Sequence, residues 1–250
     1  MESLRFVAII PARFASTRFP GKPLAMLGEK TIIQLVYEQV TKVISDVFVA
    51  TDDDRIFREV EKFGGKAIMT SDQHKSGTDR CYEAFTKLDE YFDVVINVQG
   101  DEPFIQPEQI ELLRSCFGDE NTDIATLIKK IDAENSETIL FNANSPKVVT
   151  DKNGFAMYFS RSTIPYMRGV DTKEWAEKHD FYKHIGIYAY RSEILRELTS
   201  LPPSVLEIAE SLEQLRWLEN GYRIKTAITG TETIGIDTPE DLEKAKLLLQ

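Results

Sequence analysis

Short apolar runs alternating with helical periods constrain this chain most, because strands joined through helices of that length build a parallel sheet from βαβ units. Residues 6–10 (FVAII) read as a first strand. Residues 31–44 follow as a helix in which Ile32, Leu35, Val36, Val40 and Val43 recur at helical spacing. A second strand at 47–50 leads to a helix at 55–63 that stops at Gly64-Gly65, where glycine enters the left-handed region without a Cβ clash. The pattern continues with a strand at 66–69, a helix at 78–88, and a strand at 94–98 apolar enough to be central.

The second half is less regular. A strand is expected at 123–128, a polar connection at 132–145, and strands at 147–150 and 155–159 joined through Asn153-Gly154, a hairpin signal. A polar stretch at 168–180 precedes a strand at 184–190. Residues 204–219 place Val205, Ile208, Leu212, Leu215 and Leu218 on one stripe, which predicts a single amphipathic helix ended by Asn220-Gly221. A strand at 223–229 and a last helix, with Thr238 as N-cap and Pro239 in its first turn, complete the pattern. The class is α/β: a mainly parallel, mixed central sheet flanked by helices, with an inserted β-hairpin.

At 250 residues, 42% of them hydrophobic, one large domain can bury a core without disulfides or structural metal. Thirty Lys and Arg against 41 Asp and Glu leave a net charge of −11, which repels nucleic acid and anionic membranes. The run at 6–10 is too short for a signal core, and no stretch reaches the roughly 18 apolar residues of a membrane span, so a cytoplasmic protein is expected. Cys81 and Cys116 lack any C-x-x-C partner and indicate neither zinc nor a disulfide framework; buried or half-buried helix faces are expected for both. His74, His179 and His184 are too scattered for a zinc cluster, and His179 is expected at the surface.

Chemistry concentrates in the loop 11–23 (PARFASTRFPGKP), which holds Arg13, Arg18 and Lys22 with no acid among them. In an open α/β sheet, ligands bind outside the carboxyl ends of the strands, where this loop sits. Small Ala15, Ser16 and Gly21 let backbone amides approach an anion, and arginine forks with a lysine point charge suit a polyphosphate. The loop is neither a Walker nor a dinucleotide motif; the alternative is a solvated basic loop. Residues 1–30 carry five cations and two acids, a local +3 that leaves −14 on the other 220. Residues 98–103 (VQGDEP) bring Asp101 and Gln99 to the same rim. Asp101 is an expected Mg²⁺ ligand there or, alternatively, the cap of the turn before Pro103. Asp237 in 234–239 (IGIDTP) is a second ligand or a helix-opening acid favoured by the dipole. Asp52-Asp53-Asp54 contains a D-x-D but is the pattern of solvated helix caps, and in 76–80 (SGTDR) Gly77 allows close backbone approach while Thr78 can cap the helix.

In order along the chain, IIPARFASTRFPGKPL, VATDDDRI, MTSDQHKSGTDR, VINVQGDEP, KVVTDKNGFAMYFSRSTIPY, YKHIGIYAYR, LEQLRWLENG and GIDTPEDLEKA resemble the 3-deoxy-manno-octulosonate cytidylyltransferases, or CMP-Kdo synthetases, over nearly the whole length. The resemblance implies a nucleotide-diphospho-sugar transferase-like, Rossmann-like fold, a homodimer formed through the hairpin region, and a Mg²⁺ requirement. It implies transfer of CMP from CTP to the anomeric hydroxyl of 3-deoxy-D-manno-octulosonate (Kdo) for lipopolysaccharide biosynthesis. A related sugar acid, 8-amino-Kdo or sialic acid, or a catalytically silent sugar-nucleotide-binding protein are the alternatives. A single domain over 1–250 is expected, with 1–130 mainly for CTP, 131–237 mainly for sugar acid and dimer, and 238–250 as a C-terminal helix.

Residue by residue, the resemblance puts Ala12, Arg13, Arg18 and Lys22 on CTP, Ser76, Gly77 and Arg80 about the cytosine, and Gln99 beside both nucleotide and sugar. Asp101 and Asp237 would bind metal, and with Arg13 and Lys22 form the catalytic group. Arg161, His184, Tyr188, Glu210 and Gln214 would surround the sugar acid, the last two projecting from one helix face by their i, i+4 spacing.

Overall fold

The computed structural model describes residues 4–16, 18–232 and 235–248; Thr17 of the basic loop and Ile234 of the second acid-ended run lie outside them. In chain order the described elements are β1 (Phe6–Ala12), β2 (Met26–Leu27), β3 (Lys30–Thr31), α1 (Ile32–Thr41), β4 (Val47–Thr51), α2 (Asp54–Lys62), β5 (Ala67–Met69), α3 (Gly77–Thr86), β6 (Val94–Asn97) and α4 (Pro107–Cys116). There follow β7 (Ile124–Lys130), α5 (Ser136–Leu140), β8 (Lys147–Thr150), β9 (Ala156–Ser160), α6 (Trp175–Lys178), β10 (Tyr182–Arg191), α7 (Ser192–Leu198), α8 (Val205–Glu210), α9 (Gln214–Glu219), β11 (Ile224–Ile228) and α10 (Pro239–Leu247). The expected α/β class, with helices flanking a central, mostly parallel sheet, is the observed one.

Two compact units divide the chain. The first comprises Met1–Glu111, Ala189–Thr199 and Thr233–Gln250, and the second Leu112–Tyr188 and Ser200–Glu232. In the first unit the strand order is β6-β1-β4-β5, every pair parallel. Val7 to Ile10 of β1 and Val94 to Ile96 of β6 are wholly buried, as an inner parallel strand packed on both faces requires. Each Val and Ile among them contributes roughly 1.5–3 kcal/mol by leaving water. This topology sets the carboxyl ends of β1 and β6 side by side. Gly100, just beyond β6, lies so close to β1 that a Cβ on it would come within 2.8 Å of the Pro11 carbonyl oxygen.

Helix starts in this unit are capped by side chains. Of the Asp52–Asp54 run expected as solvated helix caps, Asp53 is the cap of α2, accepting from Arg55 N at 2.9 Å, whereas Asp52 is largely buried and accepts from Arg80. Ser76, and not Thr78, caps α3, its Oγ accepting from Asp79 N at 3.1 Å. The helix begins one turn position earlier than expected because Gly77 already takes helical geometry. At α10, Thr238 and Asp241 form a reciprocal capping box with Pro239 in the first turn. Cys81 and Cys116 are buried on α3 and α4.

In the second unit β11 pairs parallel with β7, while β8 runs antiparallel to both β10 and β9. The β8–β9 hairpin turns at Gly154, whose φ of 78° is the left-handed value the Asn-Gly signal calls for. The connections at 132–145 and 168–180 are not plain loops. They hold the short helices α5 and α6, whose Leu140 and Trp175 pack with Ile131 and Phe181 into a small buried cluster.

The single helix expected at 204–219 is two. Ser211 takes a left-handed conformation (φ 50°, ψ 49°) between α8 and α9, and Val205 and Ile208 of the anticipated stripe are 78% and 68% exposed. Nine residues of unbroken helix would carry Glu207 and Arg216 about 13 Å apart along the axis on opposite faces. The break instead lets Arg216 Nε donate to Glu207 Oε2 at 2.7 Å and Nη2 to Oε1 at 2.5 Å. The same Glu207 completes a capping box with Ser204.

Candidate active site

In the first unit, loops from four elements enclose a cavity of about 220 Å³. The chain leaving β1 supplies Ala12, Arg13, Ser16, Arg18 and Lys22; the segment before α3 supplies His74, Lys75, Ser76 and Gly77, and α3 itself Arg80. Gln99, Gly100 and Asp101 come from the end of β6, and Asp237 from the approach to α10. All eight residues expected on the nucleotide, and both expected metal ligands, therefore line one cavity.

Local geometry explains how the basic loop holds its shape. Gly21 adopts φ 72°, and a Cβ there would meet the Phe14 ring at 2.9 Å. Arg55 covers the Phe14 ring, its guanidinium carbon 3.3 Å from the ring centroid and its fork held by Asp53 at 2.9 and 2.7 Å. Lys22 opens a 3-10 turn, Lys22–Leu24, that turns its side chain inward. Its ammonium donates to Asp101 Oδ2 at 2.5 Å and to Asp237 Oδ1 at 3.1 Å. Arg18 Nη2 also lies 3.1 Å from Asp237 Oδ1. The Lys22 side chain is only 11% exposed, so this ion triad is shielded from bulk water more than a surface pair. A backbone bond from Ile236 N to Asp101 O at 2.9 Å fixes the two acid-bearing segments together.

Asp101 and Asp237 thus converge on a single cation, which is the arrangement a divalent ion needs from them. Among the described residues no group of three or more His, Cys, Asp or Glu could hold a metal unaided. Two carboxylates, with the remaining positions left to phosphate oxygens and water, is how magnesium is usually held beside a nucleotide, so the residues present fit that ion.

Arg80 is buried, donating to Thr70 Oγ1 at 2.6 Å and to Asp52 Oδ2 at 3.2 Å. Those partners hold it as part of the wall. Arg13 is exposed at the cavity mouth. Sequence reasoning passed over His74 and Lys75 as site residues; their signal was position alone, immediately before Ser76-Gly77.

The residues expected on the sugar acid, Gln99 apart, belong to the second unit. His184 and Tyr188 lie on β10, with ring centroids 5.4 Å apart, and Tyr188 also meets Trp217 of α9 edge-on at 5.0 Å. Burial pushes the His184 imidazole down to about 4 and the Tyr188 hydroxyl well above its ordinary value, so both are neutral near pH 7. Thr126 Oγ1 donates to the Ile187 carbonyl at 2.8 Å, so it accepts from His184 Nε2–H at 3.0 Å, which leaves Nδ1 as an acceptor.

Glu210 and Gln214 do not share a helix face: one ends α8 and the other opens α9, with the Ser211 break between them. Glu210 accepts from Ser160 Oγ at 2.6 Å and Arg161 N at 2.9 Å. Arg161 in turn donates to the carbonyls of Glu210 (2.6 Å), Ala143 (2.9 Å) and Ser211 (3.2 Å). Both residues are engaged in joining β9 to α8. Gln214 is buried, and its Nε2 has no hydrogen-bond partner among the described residues. His179 is exposed, as expected.

Comparison with known proteins places this geometry. The cytidylyltransferase family profile matches residues 7–226. The chain is 63% identical over 247 residues to the 3-deoxy-manno-octulosonate cytidylyltransferase of Parabacteroides distasonis, covering 98% of each. It is 61% identical to the enzyme of the same name from Bacteroides thetaiotaomicron, covering 99% of each. A solved CMP:2-keto-3-deoxy-manno-octonic acid synthetase complexed with CTP superposes with a TM-score of 0.88 at 44% identity over 98% of both chains. The 4-diphosphocytidyl-2C-methyl-D-erythritol synthase of Anaerococcus prevotii, at 15% identity and a TM-score of 0.63 over the full length of both, shares the fold. With matches of that identity over nearly its entire length, the chain belongs to the 3-deoxy-manno-octulosonate cytidylyltransferase family.

Proposed function

We propose that this protein transfers CMP from CTP to the anomeric hydroxyl of 3-deoxy-D-manno-octulosonate, giving the CMP-sugar and pyrophosphate. The observation that carries this reading is the convergence of three loop cations and two carboxylates on one cavity, in a chain 44% identical to a synthetase solved with CTP. In the reaction the anomeric oxygen gives up its proton and bonds to the α-phosphorus of CTP. The bond from that phosphorus to the bridging oxygen breaks, and pyrophosphate leaves with the electron pair.

Arg13, Arg18 and Lys22 hold the triphosphate and offset the charge that builds on the leaving group, so the chain's contribution is mainly positional and electrostatic. Ser76, Gly77, Arg80 and Gln99 form the wall against the nucleoside, and Ala12 supports it. Asp101 and Asp237 would hold magnesium, which when bound supplies Lewis-acid chemistry that acidifies a coordinated hydroxyl and neutralises phosphate charge. A polyphosphate in the cavity offers the Lys22 ammonium new oxygen partners within reach of its flexible stem. On the sugar side, neutral His184 can accept a hydrogen bond from a hydroxyl at Nδ1, Tyr188 stays protonated, and the unpartnered Gln214 Nε2 is free to donate. Arg161 and Glu210 support that wall through the bonds they make to each other. No protein base is assigned.

The protein acts as a cytoplasmic homodimer in this reading. The β8–β9 hairpin is the dimerising element, with the 65% exposed Met157 on its outer strand in support. Among the described residues no helix is long and apolar enough to cross a membrane. A pyrophosphate-release assay with CTP and a panel of sugar acids tests the activity. Turnover is expected with 3-deoxy-D-manno-octulosonate, and Asp101→Asn is expected to lower it by orders of magnitude while the folded circular-dichroism spectrum is kept. Normal turnover by that variant would remove Asp101 from the catalytic group.

A further inference from the structure

The segment 70–76, whose last three residues form one wall of the cavity, is secured by one carboxylate that does not itself line the cavity. This segment leaves β5, contributes His74, Lys75 and Ser76 to the cavity, and ends at Ser76, the N-cap of α3. Glu83 lies seven residues further along the same helix. Its Oε2 accepts from Ser71 N at 2.9 Å and is the partner of His74 Nε2. Its Oε1 accepts from Lys87 Nζ at 2.7 Å, and that ammonium also donates to the Met69 carbonyl at 2.7 Å. One turn earlier, Arg80 holds Thr70 Oγ1. Start, middle and end of the segment are therefore tied to a single helix. Partial burial raises the Glu83 carboxyl, but the donors Lys87, Ser71 and His74 together bring it to about 2, so the clamp stays ionised across the physiological range.

We propose that Glu83 is a positioning residue for nucleoside recognition: by fixing His74 Nε2 and Ser71 N it presents the wall at 74–76 to the pyrimidine nucleoside, and it has no part in holding the triphosphate. The inference rests on the CTP reading of the cavity. It follows from where the clamp acts, because the cations assigned to the phosphates come from the separate loop after β1, which Glu83 does not touch. With a carboxylate as partner, His74 donates through Nε2, so the ring orientation facing the cavity is set from behind.

The test uses the full-length protein with Glu83→Ala and Glu83→Gln, and calorimetric binding of CTP, CMP and inorganic tripolyphosphate. Glu83→Ala is expected to weaken CTP and CMP roughly tenfold, the scale of losing one well-made hydrogen bond. Tripolyphosphate binding should stay within about twofold of wild type, and the kcat/KM preference for CTP over UTP should fall. Glu83→Gln keeps an acceptor oxygen for Ser71 N and should recover most of the CMP affinity. His74→Ala should show the same split between CMP and tripolyphosphate. Unchanged CMP affinity in Glu83→Ala, or an equal loss of CMP and tripolyphosphate, would overturn the inference. Wild-type protein that binds tripolyphosphate but not CTP would overturn the nucleotide reading itself.

Discussion

On the proposed function Lys22 serves two partners that one position of its ammonium cannot satisfy together: the paired carboxylates it bridges and a polyphosphate in the cavity it lines. Removing the ammonium leaves Asp101 and Asp237 facing each other with Arg18 as the remaining neighbouring cation on Asp237. Lys22→Met should then bind Mn²⁺, measured by electron paramagnetic resonance without nucleotide, about tenfold more tightly than wild type, while its KM for CTP rises. Equal Mn²⁺ affinity in the two proteins would mean that Lys22 does not compete for the carboxylates. His184 makes a second prediction at this scale. Its folded pKa of about 4 lies below the ordinary 6.5, so between those values the unfolded chain binds a proton that the folded chain does not. Stability is therefore lost as pH falls from 6.5 towards 4, by roughly 3 kcal/mol at this residue. Denaturant unfolding at pH 7 and pH 4.5 should show a smaller drop for His184→Phe than for wild type; an equal drop would place the ring in a wetter environment than its packing indicates.

At the scale of elements, the sequence was most legible where periodicity and turn chemistry agree. The strands β1, β4, β6 and β10, the Asn153-Gly154 hairpin and the capped start of α10 all combine a burial pattern with a local stop or start signal. The stretch 204–219 shows where this fails. Its apolar spacing is the same whether the helix is whole or broken, and the break goes with contacts that spacing does not encode: the Glu207–Arg216 fork across the break and the bond from Arg161, 50 residues away, to the Ser211 carbonyl. α4 is hidden for a related reason, since its buried face is the short stripe Ile110, Leu113 and Cys116 with polar Gln109 buried beside it. A serine held at φ 50° is strained relative to glycine, which enters that region freely. Ser211→Gly should raise unfolding stability in urea by about 1 kcal/mol with the α8–α9 geometry kept. A destabilised variant would show that the serine side chain makes up for its backbone strain.

For the whole molecule, a net charge of −11 conceals a cavity lined by Arg13, Arg18 and Lys22, because residues 1–30 carry a local +3 while the acids that outnumber the cations are spread over the rest of the chain. That the residues expected on the nucleotide line one cavity was readable because a parallel topology places the loops after β1, β5 and β6 on one edge, so motifs far apart in sequence are bound to converge. The surroundings of the residues expected on the sugar acid were only partly readable. Arg161 and Glu210 carry the charges expected of sugar contacts but spend their hydrogen bonds on each other and on backbone, which no spacing rule reveals. Mass spectrometry of the protein incubated with CTP, Mg²⁺ and 3-deoxy-D-manno-octulosonate tests the account as a whole. It predicts a CMP-sugar product with pyrophosphate, formed only when all three are present; CTP binding without any such product would contradict it.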